Sequence, residues 1–203
     1  MKTVCVITGG GSGMGLAAAK CMPKDKIIVV TGRTMSKLEK AVKELEVLGY
    51  EAYAKTCDTS NRKQVFELAE YAASLGEIKN VINSAGLSPS MADPEQLIRV
   101  NALGTVYVNQ EFAKFMKAGS VIVDISLNSA YVLPQIVVNM HKKAYALADT
   151  DETAFLKKMT AMAKKLGGYK GSGLAYGLSK NFVVWYAKKS AFCLGVKGIR
   201  VCS

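Results

Sequence analysis

The sequence predicts an α/β fold in which a doubly wound parallel sheet carries helices on both faces. Apolar stretches of strand length alternate with helical patterns from residue 4 to residue 125. Each stretch is continuously apolar, as expected of strands that are covered on both faces. A glycine cluster also separates the first strand from the first helical pattern, which is typical of Rossmann-type folds. These observations together predict a Rossmann-type sheet built from strand–helix units.

The strands are predicted from runs that are rich in valine and isoleucine. Val4–Ile7 precedes the glycines, and Lys26–Thr31 contains five consecutive β-branched residues. Such residues favour strands over helices. Further strands are expected at Glu51–Lys55, Asn80–Ile82 and Ser120–Ile125, and a last one begins at Ile199.

The helices are predicted where apolar residues recur every three or four positions. The patterns place helices at Leu16–Met22, Ser36–Leu48, Arg62–Leu75 and Asn101–Met116, and a final one from about Tyr176 to Leu194. Because each strand is followed by a helix, the strands are expected to run parallel.

The alternation breaks between residues 134 and 173, a stretch too long for an ordinary loop. Asp149 to Glu152 resembles a capping box that opens a helix, and Gly167-Gly168 would end it. The apolar stripe of this helix consists of Phe155, Leu156, Met159, Met162, Ala163 and Leu166. We expect an inserted helical hairpin, which acts either as a lid or as an extra packing element.

Length and composition predict one folded domain over residues 1–203. Half of the 203 residues are apolar and 21% are charged, a balance typical of soluble globular proteins. The chain starts without a secretory signal pattern, and its apolar stretches are too short to cross a bilayer, so we expect a cytoplasmic protein that does not bind membranes. Five scattered cysteines and the single His141 predict neither a metal site nor a disulfide framework.

The net charge of +11 is spread over several predicted helix faces as lysine pairs. The basic residues are not interleaved with aromatic residues, as they are in surfaces that stack bases. We therefore expect no nucleic-acid binding. The charge is better suited to attracting an anionic cofactor or substrate.

The glycine cluster predicts a site for a pyrophosphate. The first strand ends at Thr8, and glycines follow at positions 9, 10, 11, 13 and 15 before the helix starts at about Gly15. Free backbone amides and the positive end of the helix would then face one place, which favours an anion. A purely structural turn is the alternative. No Lys-Ser or Lys-Thr follows, so the loop does not match that of P-loop ATPases.

The end of the second strand predicts the choice of dinucleotide. An acidic residue there selects NAD, whereas a basic residue accommodates the 2′-phosphate of NADP. At this strand end the sequence has Arg33 followed by Thr34, with Lys37 nearby, and no acidic residue lies between Val30 and Thr34. It favours NADP over NAD as the cofactor.

Several segments together resemble the short-chain dehydrogenase/reductase family. Thr8, Gly9, Gly13 and Gly15 match its cofactor motif, and Asn83-Ser-Ala-Gly86 resembles its Asn-Asn-Ala-Gly segment. Asp58, Asn101 and the Tyr176-Gly-Leu-Ser-Lys180 segment follow in the family's order and extend the match over nearly the whole chain. The cofactor-binding residues that this resemblance and the loop imply are Thr8, Gly9, Gly11, Ser12, Gly13, Met14, Gly15, Arg33, Thr34, Asp58, Asn83, Ser84, Ala85, Gly86, Tyr176 and Lys180.

The chemistry of the pair formed by Tyr176 and Lys180 follows from their spacing. The residues are one helical turn apart and share a face. A neighbouring ammonium stabilises the phenolate and would lower the pKa of Tyr176, making it a general acid for ketone reduction and a general base for alcohol oxidation. The resemblance further implies that Lys180 binds the nicotinamide ribose and that Asn101 holds a water in a proton relay.

The catalytic serine of the family has no direct counterpart. In the family it is the second residue of a Ser-Ser pair after the fifth strand, and the segment DISLNSAY places Leu127 there. Leucine cannot donate a hydrogen bond. Ser129 shares the parity of Leu127 along an extended strand and would replace it; Ser126 is the alternative if the strand end bulges.

The resemblance also implies an overall activity. We expect an NAD(P)-dependent oxidoreductase that acts on a secondary alcohol or ketone and forms a dimer or tetramer. The insertion resembles the branch that includes 3α-hydroxysteroid dehydrogenase/carbonyl reductase, which implies a hydroxysteroid or bulky carbonyl substrate. The chain ends soon after Gly198-Ile-Arg-Val201, where relatives continue, and looks truncated. Because of Leu127 and this ending, a catalytically weak dinucleotide-binding or regulatory protein is the alternative.

Overall fold

The computed structural model describes residues 2–203, except for the side chain of Ser129. Six strands form one parallel sheet in the order β3-β2-β1-β4-β5-β6. Their bounds are β1 Thr3–Thr8, β2 Lys26–Gly32, β3 Glu51–Thr56, β4 Glu77–Asn83, β5 Val121–Asp124 and β6 Arg200–Cys202. The predicted doubly wound fold is therefore confirmed.

Helices connect the strands and cover the sheet. Their bounds are α1 Gly13–Lys20, α2 Met35–Val47, α3 Arg62–Leu75, α4 Pro94–Ile98, α5 Gly104–Phe112, α6 Gln135–Tyr145, α7 Glu152–Leu166 and α8 Gly168–Gly195. A π-helical turn, Arg99–Leu103, joins α4 to α5, and 3₁₀ turns occupy Asn128–Ala130 and Ala146–Asp149. No helix within residues 2–203 is long and apolar enough to cross a membrane.

The sheet separates two hydrophobic cores. The smaller core lies under α1 and α2 and includes Ile28 and Leu38. The larger one lies under α3, α5 and α8 and includes Val81 and Phe182. Between β1 and β4 the direction of strand addition reverses, and the carboxyl ends of these strands frame the crevice where such folds bind ligands.

Two helices begin seven and eight residues earlier than predicted. The helix expected from Asn101 starts at Pro94, because Asp93 accepts hydrogen bonds from the backbone N–H groups of Glu95 (2.8 Å) and Gln96 (2.9 Å). The helix expected from Tyr176 starts at Gly168. Its first turns are rich in glycine, which weakens the helical signal, but Gly171 lies directly against the carbonyl of Ala163 in α7. Tertiary packing therefore holds this end in helical form.

The insertion consists of α6 and α7, which lead into the early start of α8. Asp151, rather than Asp149, caps α7 by accepting a hydrogen bond from the N–H of Ala154 at 2.9 Å. Phe155 is fully buried, 5.1 Å from the ring of Phe182 in α8. Tyr145 donates to Asn181 Oδ1 at 2.8 Å. The hairpin is thus a packing element on α8. Of its predicted stripe, the half-buried Met162 and the exposed Leu166 lie outside the core.

Candidate active site

The glycine loop after β1 is shaped by backbone contacts that exclude side chains. Gly9 has a φ of +66°, a conformation that favours glycine. A Cβ on Gly15 would lie 2.4 Å from the carbonyl oxygen of Gly9 and 2.6 Å from Ser84 Oγ. Helix α1 starts at Gly13, earlier than predicted, and Met14 is exposed on it. The first N–H groups of a helix lack partners within the helix and favour an anion at that end.

Hydrogen bonds join the ends of β1 and β4 beneath this loop. Ser84 Oγ donates to the carbonyl oxygen of Thr8 at 2.6 Å, and the N–H of Ala85 donates to Thr8 Oγ1 at 3.0 Å. The Thr8 hydroxyl in turn donates to Asn83 Oδ1 at 2.8 Å. The structure thus brings the predicted loop and the Asn83–Gly86 segment together.

A cleft opens beside the loop. Of the predicted residues it is lined by Gly9, Arg33, Asp58, Ala85 and Gly86. Arg33 and Thr34 are exposed at the end of β2. The lining also includes residues that the sequence analysis did not single out, namely Thr31, Gly32, Cys57, Thr59, Leu87 and Val100. These residues could have been found from their positions in the sequence, because each lies within two positions of a predicted site residue at the carboxyl end of a strand or directly precedes Asn101.

Asn101 lies in the π-helical turn at the inner end of the crevice. Its Oδ1 accepts from the N–H of Leu87 at 2.8 Å, and its Nδ2 donates to the carbonyl of Leu87 at 3.0 Å and to Ser179 Oγ at 3.2 Å. A Cβ on Gly86 would lie 3.3 Å from Asn101 Oδ1 and 3.7 Å from Lys180 Nζ. Gly86, Asn101 and Lys180 therefore meet at one place. Ser179, which holds the Asn101 amide, was missed by the sequence analysis.

Tyr176 and Lys180 share a face of α8, as predicted, with Lys180 Nζ 5.9 Å from the centroid of the tyrosine ring. Lys180 is buried and donates to the carbonyl oxygen of Ile125 at 2.9 Å. The expected lowering of the tyrosine pKa is wrong for this structure: burial raises the pKa of Tyr176 above its ordinary value. Burial lowers the pKa of Lys180, because desolvation disfavours its charged form.

The segment after β5 does not provide the serine in the predicted way. The strand ends at Asp124, and Asn128–Ala130 forms a 3₁₀ turn. The prediction of an extended chain, on which the choice of Ser129 depended, is therefore wrong. The side chain of Ser129 lies outside the described part of the chain. Ser126 Oγ donates to the carbonyl oxygen of Lys180 at 2.8 Å, and Leu127 is 47% exposed.

Asp124, at the end of β5, is a buried carboxylate that the sequence analysis quoted but did not assign to the site. Asn83 Nδ2 donates to its Oδ1 at 3.0 Å, and Asn109 Nδ2 donates to its Oδ2 at 2.9 Å. Burial raises the pKa of Asp124 to about 6. The position of this carboxylate directly after the apolar run Val-Ile-Val could have indicated from the sequence that it is buried. In residues 2–203 there is no group of three His, Cys, Asp or Glu side chains that could hold a metal ion.

The fold and this crevice define a Rossmann-type α/β domain with a tyrosine–lysine pair at the end of its glycine-loop crevice. The family model for short chain dehydrogenases matches residues 3–145. The chain belongs to the short-chain dehydrogenase/reductase family.

Two proteins of similar sequence are short-chain dehydrogenase/reductases by name. The chain is 32% identical over 136 residues to Short-chain dehydrogenase/reductase bsc3 of Alternaria brassicicola, covering 67% of this chain and 49% of that protein. It is 28% identical over 156 residues to Short-chain dehydrogenase/reductase 3 of Homo sapiens, covering 70% of this chain and 52% of that protein. The chain thus spans about half the length of these relatives.

Solved structures share the fold. A short chain dehydrogenase from Burkholderia cenocepacia in complex with NADP has a TM-score of 0.71 at 21% identity, covering 97% of this chain and 70% of that one. An NAD⁺-bound xylitol dehydrogenase has a TM-score of 0.70 at 20% identity, with coverage of 98% and 68%.

Proposed function

We propose that this protein is an NAD(P)-dependent oxidoreductase that interconverts a secondary alcohol and a ketone. The observation that carries the proposal is the convergence of Tyr176, Lys180 and Asn101 at the inner end of a crevice that begins at a glycine loop. When bound, a nicotinamide dinucleotide supplies or accepts the hydride. Replacement of Tyr176 by phenylalanine tests the activity directly.

The residues present fit such a cofactor. A Cβ on Gly15 would collide with the Gly9 carbonyl and Ser84, so glycine there lets the start of α1 pack closely against the end of β1, as dinucleotide-binding loops require. The residues proposed to hold the cofactor are Thr8, Gly9, Gly11, Ser12, Gly13, Met14, Gly15, Arg33, Thr34, Asp58, Asn83, Ser84, Ala85, Gly86, Tyr176 and Lys180. Asn101 is proposed to hold a water, and its amide is fixed for this role by Leu87 and Ser179.

Burial raises the pKa of Tyr176 above its ordinary value, which keeps the tyrosine in its protonated form. A tyrosine that keeps its proton at neutral pH can donate it to the oxygen of a ketone as hydride arrives at the carbon. Alcohol oxidation needs the phenolate and is therefore favoured at higher pH. We propose ketone reduction as the direction near neutral pH.

Arg33 is proposed to make NADP the preferred cofactor. It is exposed at the edge of the cleft after β2, where a guanidinium can pair with a 2′-phosphate. Arg33→Ala is expected to weaken NADPH binding by about 10- to 100-fold, the loss of one or two charge-assisted hydrogen bonds, and to leave NADH binding unchanged. Fluorescence titration with both dinucleotides measures this. Lys40→Ala, an exposed residue of α2, is the control. Equal effects on NADPH and NADH would contradict the assignment.

The second candidate function is a catalytically weak dinucleotide-binding or regulatory protein. It is favoured by Leu127, which presents an apolar side chain where the family has a hydroxyl. If the missing hydroxyl limits the rate, Leu127→Ser is expected to raise kcat/KM at least about tenfold, since single donors to a reacting oxygen contribute about 10²- to 10³-fold. Leu127→Ala controls for the loss of the leucine side chain. An equal rate in both variants would mean that Ser126 or Ser129 already supplies the donor, or that none is needed.

The substrate is proposed to be a bulky carbonyl compound or hydroxysteroid. The segment that follows β5 exposes the apolar side chains Leu127, Tyr131 and Val132 next to α8, a surface suited to a large apolar substrate. Comparing kcat/KM for a steroid ketone with that for acetone tests this, and a preference for acetone would contradict it.

Organisation and assembly are further proposals. We propose that residues 1–203 work as a single dinucleotide-binding domain in the cytoplasm and that the protein is a dimer or tetramer. Sedimentation analysis measures the assembly, and a monomer at all concentrations would overturn that part of the proposal.

A further inference from the structure

The roles proposed so far leave Asp124 without a function. Its carboxylate is completely buried at the carboxyl end of β5, next to Ile125, whose carbonyl binds Lys180 Nζ. Two amide groups, from Asn83 and Asn109, donate to its two oxygens. Burying a carboxylate is costly, and neutral amides compensate for only part of that cost. A purely structural polar contact between β4, β5 and α5 would not require a charge.

The groups around Asp124 come from three elements. Asn83 on β4, Asn109 on α5 and Ser190 on α8, which binds Asn109, are neutral. The titratable groups that sense its charge are Lys180 and Tyr186, both on α8. Lys180 is the cation that lies near the buried carboxylate: its Nζ binds the carbonyl oxygen of Ile125, the residue that follows Asp124, and the two side chains form no direct ion pair.

Lys180 needs such a partner, because it is only 8% exposed. Burial lowers the pKa of Lys180, and the charge of Asp124 opposes that effect. On the open side Lys180 faces the ring of Tyr176 and the neutral Asn101 across Gly86. The balance between desolvation and this one carboxylate sets how readily the ammonium loses its proton.

We propose that Asp124 is a positioning residue whose carboxylate keeps Lys180 charged at the inner end of the crevice. The proposal deepens the proposed function and rests on it, since a charged Lys180 is what would bind a ribose hydroxyl and stabilise a developing phenolate on Tyr176. Asp124 acts through Lys180 and does not itself reach substrate.

The test measures the protonation of Lys180 without turnover. The ¹³Cε chemical shift of Lys180 is followed against pH in protein labelled with ¹³C-lysine, with the signal assigned by its loss in Lys180→Met. In Asp124→Asn the titration midpoint is expected to fall by at least one pH unit, a tenfold loss of proton affinity, relative to the unsubstituted protein. Ser190→Ala removes a hydrogen bond of the same cluster without changing charge, and should leave the midpoint in place. An equal midpoint in all three proteins would overturn the proposal.

The unsubstituted protein gives a second measurement that holds even if Asp124→Asn fails to fold. Because the pKa of Asp124 is about 6, the Lys180 signal should show a smaller inflection near pH 6 as the carboxylate is protonated. A signal that is flat through this range would overturn the proposal.

The kinetic consequence separates this proposal from the proposed function. The alkaline limb of kcat/KM for ketone reduction should move to lower pH in Asp124→Asn together with the Lys180 midpoint, and stay in place in Ser190→Ala. A uniform loss of rate at every pH would mark Asp124 as merely structural and contradict its positioning role. If the Lys180 midpoint shifts as expected but no ketone is reduced by the unsubstituted protein, the charge coupling stands and the oxidoreductase function fails.

Discussion

Replacement of Tyr176 by phenylalanine is expected to lower kcat/KM for ketone reduction by about 10²- to 10⁴-fold, the usual contribution of a general acid. The ring remains beside Lys180 and keeps its packing, and only the proton donor is lost. Dinucleotide affinity should therefore stay largely intact, because Lys180 and the other residues proposed to hold the cofactor are unaltered. Steady-state kinetics and nicotinamide fluorescence measure the two quantities.

Tyr169→Phe is the matched control, because Tyr169 lies on the same helix and is exposed. It removes a hydroxyl outside the crevice and should leave both turnover and binding intact. Undiminished turnover in Tyr176→Phe would contradict the role assigned to the tyrosine. An equal loss in both variants would instead point to a general effect on α8.

Substitution of Gly15 by alanine is expected to weaken dinucleotide binding at least about tenfold. The new Cβ would lie 2.4 Å from the carbonyl oxygen of Gly9, a backbone atom that cannot move without reshaping the loop. The N–H groups that converge on the pyrophosphate would then be displaced. Fluorescence titration measures the affinity, and circular dichroism confirms that the variant is folded.

Gly173→Ala provides the control for this substitution. Gly173 lies in α8, and a Cβ there meets nothing within 4 Å. Alanine favours a helix over glycine by about 1 kcal/mol, so this variant should bind the dinucleotide normally and be slightly more stable. Unchanged affinity in Gly15→Ala would mean that the pyrophosphate does not bind at this loop.

The layout of the sheet was predictable because it depends on patterns that are local in sequence. Continuous apolar runs such as Lys26–Thr31 mark buried parallel strands, and the predicted bounds of α3 agree with the structure. The start of α8 was not predictable in this way. Its glycine-rich first turns form a helix only because Gly171 packs on α7, a contact that depends on tertiary structure.

The residues of the site that belong to sequence motifs were predictable, but the pKa shifts of those residues were not. Spacing placed Tyr176 and Lys180 on one face of a helix, but the pKa of each depends on burial, which the motif does not encode. Likewise, the preference for Ser129 assumed an extended chain where the structure has a 3₁₀ turn. Asp124 escaped notice because its partners Asn83 and Asn109 come from distant parts of the sequence.

The crevice beside the glycine loop is proposed to bind a nicotinamide dinucleotide for hydride transfer. Titration of the unsubstituted protein with NADPH, followed by nicotinamide fluorescence, tests it most directly. We expect saturable binding at one site per chain, tighter than for NADH and weakened in Gly15→Ala. No change in nicotinamide fluorescence up to about 1 mM NADPH, the upper end of usual KM values, would contradict it.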